Sequence, residues 1–68
     1  MNVIVNGQDQ VLANSTTIAD LLEAMELTGK RLAVEVNDEI VPRGNHATHT
    51  LSDNDKIEIV HAIGGGLN

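Results

Sequence analysis

Residues 56–63 have the sequence KIEIVHAI, and three glycines follow directly at 64–66. The first segment is rich in β-branched residues that alternate with polar ones, which predicts a β-strand. The glycine run has no side chains to bury and a large conformational entropy to lose on ordering. We therefore expect a folded domain over residues 1–63 and a flexible tail over residues 64–68.

The composition limits the domain to a small aliphatic core. The 68 residues include no cysteine, phenylalanine, tyrosine or tryptophan, so neither disulfides nor a thiolate zinc site can support the fold. The formal net charge is −6, which repels phosphate backbones, and there is no aromatic side chain on which a base can stack. We expect no nucleic-acid partner.

The N-terminal region lacks a basic segment followed by a long apolar stretch. Such a segment is typical of secretion signals and membrane anchors. We therefore expect a cytoplasmic protein without a membrane partner.

An antiparallel hairpin is predicted over residues 2–13. Val3 to Val5 form a short β-branched run, and the dipeptide Asn6-Gly7 is the strongest short-range hairpin signal. The segment from Val11 to Ala13 can supply the returning strand.

One helix follows this hairpin. Thr17 is the expected N-cap, since Asp20 three residues later can complete a capping box. We expect the helix to end near Leu27, with Gly29 in its C-cap. Helical spacing places four apolar residues on one face, which should lie on the sheet: Ile18, Leu21, Leu22 and Met25.

The second half of the chain predicts two or three further strands. Residues 32–36 alternate, Asn37-Asp38 is a turn signal, and residues 39–41 continue as a short extended piece that ends at Pro42. A polar segment over residues 43–50 leads towards the last strand, which should neighbour the first inside the sheet. The order indicates an α+β roll with a mixed sheet of four to five strands and one helix on one face.

The glycine tail is the feature with a chemical implication. The three histidines do not share a predictable face, so we expect them at the surface and expect no metal site. A glycine terminus can enter a narrow channel, and its carboxylate can be activated by ATP as an acyl-adenylate. The chain has no nucleotide-binding motif, so we expect no bound cofactor and an external enzyme that uses ATP.

Several segments in their relative order resemble the ThiS family of thiamine-biosynthesis sulfur carriers. The resemblance extends from Met1 to Gly66 and rests on the following segments: Asn6-Gly7, Thr17 to Leu22, Val34 to Asn37, Glu39 to Arg43, Ser52 to Asp55 and Ile63 to Gly66. It implies the ubiquitin-like β-grasp fold, in agreement with the order of predicted elements.

The resemblance also implies a carrier that is not itself an enzyme. An E1-like adenylating enzyme of the ThiF type would activate Gly66, with Gly64 and Gly65 as the lead. A sulfur donor system would convert the terminus to a thiocarboxylate, and a thiazole synthase of the ThiG type would take the sulfur. Among the last-strand residues, we expect Val60, Ala62 and Ile63 to contact a partner.

Two alternatives share these features. The small subunit of molybdopterin synthase has the same fold, glycine end and thiocarboxylate chemistry, although it is usually longer and richer in aromatic residues. A β-grasp interaction module would dock on a partner without chemistry at its tail. Leu67 and Asn68 depart from the family pattern; they are a cloning remnant, an extension removed by a protease, or a sign of lost function.

Overall fold

The five-stranded sheet of the computed structural model is mixed, and the model describes residues 1–61. The strand order is β2-β1-β5-β3-β4, in which β1 and β5 are parallel and the other neighbours are antiparallel. The elements are β1 (Asn2–Val5), β2 (Gln8–Val11), α1 (Ile18–Ala24), β3 (Leu32–Val36), β4 (Glu39–Val41) and β5 (Lys56–His61), with a 3₁₀ turn at Arg43–Asn45 between β4 and β5. This arrangement confirms the predicted β-grasp roll and the adjacency of the first and last strands.

Two tight hairpins have the same construction. Asn6 and Gly7 have φ values of 49° and 83°, and Asn37 and Asp38 have values of 53° and 70°. Positive φ at both central residues is the signature of a type I′ turn, whose twist matches that of the flanking strands. Both predicted turns are confirmed. The returning strand of the first hairpin starts earlier than expected, at Gln8.

The helix begins as the sequence predicts. The Thr17 hydroxyl accepts a hydrogen bond from the backbone N–H of Asp20, and the Asp20 carboxylate accepts one from the backbone N–H of Thr17, both at 3.1 Å. Ile18, Leu21 and Leu22 are buried against the sheet. A seven-residue helix cannot hold itself together in water, so this packing stabilises it. No helix within residues 1–61 is long and apolar enough to cross a membrane.

The end of the helix differs from the prediction. The helix stops at Ala24, and Glu26 takes the left-handed conformation with a φ of 61°. The backbone N–H groups of Glu26 and Leu27 donate to the carbonyls of Glu23 and Leu22, at 2.9 and 2.8 Å. These two bonds form a Schellman motif. The expected cap at Gly29 is therefore wrong, because a non-glycine residue ends the helix three residues earlier.

A single aliphatic core lies between α1 and the sheet. Its buried members come from every strand except β2, from α1 and from the segment before β5. They are Val3, Val5, Ile18, Leu21, Leu22, Val34, Val36, Val41, Leu51, Ile57 and Ile59. The helix thus covers one face of the sheet, and the other face is uncovered in the described part of the chain.

Candidate functional site

The strand that leads to the glycine run occupies the centre of the sheet. β5 lies between β1 and β3, and each hairpin asparagine contacts it. The Asn6 side-chain carbonyl accepts the N–H of Ile59 at 2.8 Å, and that of Asn37 accepts the N–H of Lys56 at 3.0 Å. The backbone N–H of each asparagine also donates to a β5 carbonyl. The turns therefore hold the start and middle of β5 from both sides.

An apolar patch occupies the uncovered face near the end of β5. Val60 in β5 pairs with Ala33 in β3, and Ile40 in β4 lies on the same face of the sheet. Val60 is 57% exposed and Ile40 is 68% exposed. We call these three residues the open-face patch. Val60 is thus accessible, as its predicted partner role requires, and the sequence did not single out Ala33 or Ile40 for this surface.

Carboxylates flank the open-face patch. Glu35 and Glu58 are directly opposite each other in β3 and β5, where like charges oppose pairing. Lys56 lies two residues before Glu58, and its Nζ atom is 3.0 Å from a carboxylate oxygen of Asp38. The hydrogen bond to Asp38 raises the pKa of Lys56, and Asp38, Glu58 and Glu35 raise it further by their charges. This face therefore has a net negative charge beside its apolar patch.

The three histidines lie in different environments. His46 is buried, and its Nε2 atom is 3.0 Å from the carbonyl oxygen of Val41, so the expectation that all three lie at the surface is wrong. The 3₁₀ turn directs this ring inward. His61 is exposed and His49 is partly exposed. Among residues 1–61, no group of three or more potential ligands could hold a metal ion.

The remaining predicted site residues lie outside the described residues. These are Ala62, Ile63, Gly64, Gly65 and Gly66. The last described residue, His61, pairs with Leu32 at the end of β3. The structure therefore locates the strand end from which the glycine run continues along the sequence.

Comparison with known proteins connects this arrangement to one family. The ThiS family model matches residues 3–66, and so includes β5 and the glycine run. The sulfur carrier protein ThiS of Bacillus subtilis is 43% identical over 63 residues, covering 91% of this chain and 96% of that protein. The crystal structure of the thiamine biosynthesis protein ThiS from Geobacter metallireducens superposes with a TM-score of 0.84 at 32% identity, covering 97% of this chain and all of that one.

A longer type of relative also matches. A protein named thiazole synthase from Paramagnetospirillum magneticum is 39% identical over 66 residues, which cover 97% of this chain. The chain spans only 20% of the length of that protein and of a second thiazole synthase from Magnetococcus marinus.

Proposed function

The chain belongs to the ThiS family, and on that premise we propose that it is a sulfur carrier for thiazole formation in thiamine biosynthesis. The observation that carries the proposal is the family match through Gly66. This match includes the glycine run, which supports the proposal that Gly66 is the reactive position. In this role the chain does not need catalytic residues of its own, because it supplies a carboxylate on which other proteins act.

The proposed chemistry requires a chain that ends at Gly66, so a protease must first hydrolyse the peptide bond between Gly66 and Leu67. Two steps follow at Gly66. An oxygen of its carboxylate attacks the α-phosphorus of ATP on an E1-like adenylating enzyme, and pyrophosphate leaves. A sulfur nucleophile at the oxidation level of sulfide then attacks the carbonyl carbon, and AMP leaves to give a thiocarboxylate. Gly64 and Gly65 have no side chains that would obstruct a narrow channel. The ATP belongs to the enzyme and is not a cofactor of this chain.

The proposed partners are an adenylating enzyme of the ThiF type, a sulfur donor system and a thiazole synthase of the ThiG type. The similarity of this chain to a region of two proteins named thiazole synthase supports the last of these. The open-face patch is the proposed docking surface, since exposed apolar residues grouped on one face are typical of interaction sites. Ala62 and Ile63, which follow it in sequence, are proposed to extend it.

The proposal is tested by ATP–pyrophosphate exchange with the purified adenylating enzyme from the same organism. Chains ending at residues 65, 66 and 68 place the carboxylate at positions that differ by up to ~3.5 Å per residue. Because a misplacement of ~1 Å can lower a rate ~100-fold, only the chain ending at Gly66 should exchange rapidly. After addition of the sulfur donor, its mass should rise by the difference between sulfur and oxygen.

The other outcomes separate the alternatives. If no form exchanges, the carrier proposal fails and the interaction module takes its place. If all three forms exchange equally, Gly66 is not the reacting position.

A further inference from the structure

A second surface lies at the same end of the molecule as His61, on the side of the sheet that α1 covers. It is a cleft of about 310 Å³ between the end of α1 and the 3₁₀ turn. This volume is at the lower end of the ~300–1,000 Å³ found for ligand sites, so it suits one or two side chains. Its apolar lining includes Ala19, Leu22, Leu27 and Leu32, and its basic lining includes Lys30 and Arg43.

The basic residues of the cleft have no carboxylate partner in the described part of the chain. Within residues 1–61, the ion pair of Lys56 with Asp38 is the only one. The other three Lys and Arg residues of the chain, Lys30, Arg31 and Arg43, are close together in the fold, since the Arg43 guanidinium donates to the Lys30 carbonyl at 3.0 Å. In a chain of net charge −6, this is a local positive surface.

The position of the cleft relates it to the glycine run. Leu32 contributes to the lining and pairs with His61, the last described residue of β5. The open-face patch lies at the same strand end, on the opposite face of the sheet. The cleft and the open-face patch therefore lie on opposite sides of the strand end at His61, the last described residue before the glycine run in sequence.

We propose that the cleft binds an acidic segment of the adenylating enzyme, with an aliphatic side chain inside the cleft and a carboxylate beside Lys30 and Arg43. This inference rests on the proposed function. It adds a second contact with the adenylating enzyme to the one proposed at the open-face patch. Charge complementarity favours an acidic occupant, because Lys30 and Arg43 attract a carboxylate. The rest of the chain is acidic and repels one, so the attraction is confined to the cleft. The apolar lining gives the neighbouring aliphatic side chain an environment away from water.

The charged part of the contact is tested with a matched pair of variants of the full chain. Lys30→Gln and Lys56→Gln both change the net charge from −6 to −7, but Lys56 is already paired with Asp38 and lies at the other end of β5. Affinity for the purified adenylating enzyme is measured by calorimetry at low and high salt. Lys30→Gln should raise the Kd about 3–10-fold at low salt and reduce its salt dependence. Lys56→Gln should change it less than about 2-fold.

The apolar part is tested with a second pair. Ala47 is exposed and lines the cleft, whereas Ala24 is exposed on α1 away from it. Ala47→Leu narrows the cleft and should weaken binding, whereas Ala24→Leu should not. Thermal unfolding of all four variants verifies that each is folded.

The possible results separate this inference from the proposed function. If the unmodified chain binds and Lys30→Gln and Ala47→Leu bind equally well, the cleft is not a contact, while the carrier role stands. An effect of Lys30→Gln without one of Ala47→Leu contradicts the aliphatic occupant. Equal weakening by Lys30→Gln and Lys56→Gln would reveal only an effect of overall charge. If the unmodified chain does not bind and the chain ending at Gly66 neither binds nor exchanges, the carrier proposal fails and the cleft contact fails with it.

Discussion

Replacement of Asn6 tests how the first hairpin holds the central strand. Asn6→Gly keeps a residue that tolerates the φ of 49° and keeps the backbone bond to the Ile57 carbonyl at 2.9 Å. It removes the side-chain carbonyl that accepts the partly buried N–H of Ile59. Asn6→Ala removes the same acceptor and adds a Cβ atom in the left-handed region. Asn6→Asp retains an acceptor and tolerates that region.

The three variants should form a graded series. Leaving an N–H without a partner costs ~1–3 kcal/mol when it is buried, and the partial burial of this one favours the lower half, about 1–2 kcal/mol for Asn6→Gly. The left-handed conformation of alanine adds ~1–2 kcal/mol, which gives about 2–3 kcal/mol for Asn6→Ala after allowing for the lower backbone entropy of its unfolded chain. Asn6→Asp should lie within ~0.5 kcal/mol of the unmodified chain.

Urea unfolding at pH 7 measures these differences, and a constant m value verifies that the denatured state is unchanged. Hydrogen exchange of the Ile59 amide should accelerate in Asn6→Gly and Asn6→Ala only. Asn37→Gly is the comparison variant, since Asn37 has a similar φ of 53°. Its side-chain bonds, from the Lys56 N–H and to the Asp55 carboxylate, are both exposed, so their loss should cost less than Asn6→Gly. Equal stability of Asn6→Gly and the unmodified chain would refute the argument.

Three further predictions concern docking, the helix end and the core. Val60→Glu should weaken binding to the adenylating enzyme by about 10-fold or more at unchanged urea midpoint, whereas Val11→Glu on β2, 80% exposed, should not; equal affinities in a titration would exclude the open-face patch. Glu26→Gly should stabilise the chain by up to ~1 kcal/mol in urea, because it relieves the left-handed strain and removes a negative charge at the helix C-terminus; any loss of stability would contradict this. Leu21→Ala should cost ~3–5 kcal/mol and Leu22→Ala ~2–3 kcal/mol, because Leu22 borders the cleft; the reverse order in unfolding would show that the inward face is misplaced.

The parts of the fold that depend on neighbouring residues were predictable from the sequence. Asn6-Gly7 and Asn37-Asp38 determine their turns through the φ values that these residue types accept. Thr17 and Asp20 satisfy each other across one helical turn. The alternation of β-branched and polar residues in KIEIVHAI predicted β5. Each of these signals requires only contacts between residues close in sequence.

Features made by distant residues were not predictable. The bond between Asn6 and Ile59 joins positions 53 apart in sequence, and no local pattern distinguishes it from an ordinary turn asparagine. His46 is buried because the 3₁₀ turn brings it to the Val41 carbonyl, and the polar segment around it carries no periodicity. The helix end was misplaced because glycine is the usual C-cap signal, while Glu26 adopts the left-handed conformation without being a residue that favours it.

The strand partners of β5 differ along its length, so the residues that stabilise the domain differ from those proposed to dock on a partner. β1 pairs with only the first two residues of β5, and Asn6 extends these contacts as far as Ile59. Val60 and His61 have their strand partners in β3, at Ala33 and Leu32. Asn6→Gly and Asn6→Ala should therefore lower the free energy of unfolding and leave the Kd of the folded chain for the adenylating enzyme unchanged. Val60→Glu should raise the Kd and leave the free energy of unfolding unchanged, since the Val60 side chain contributes to the surface and not to the core.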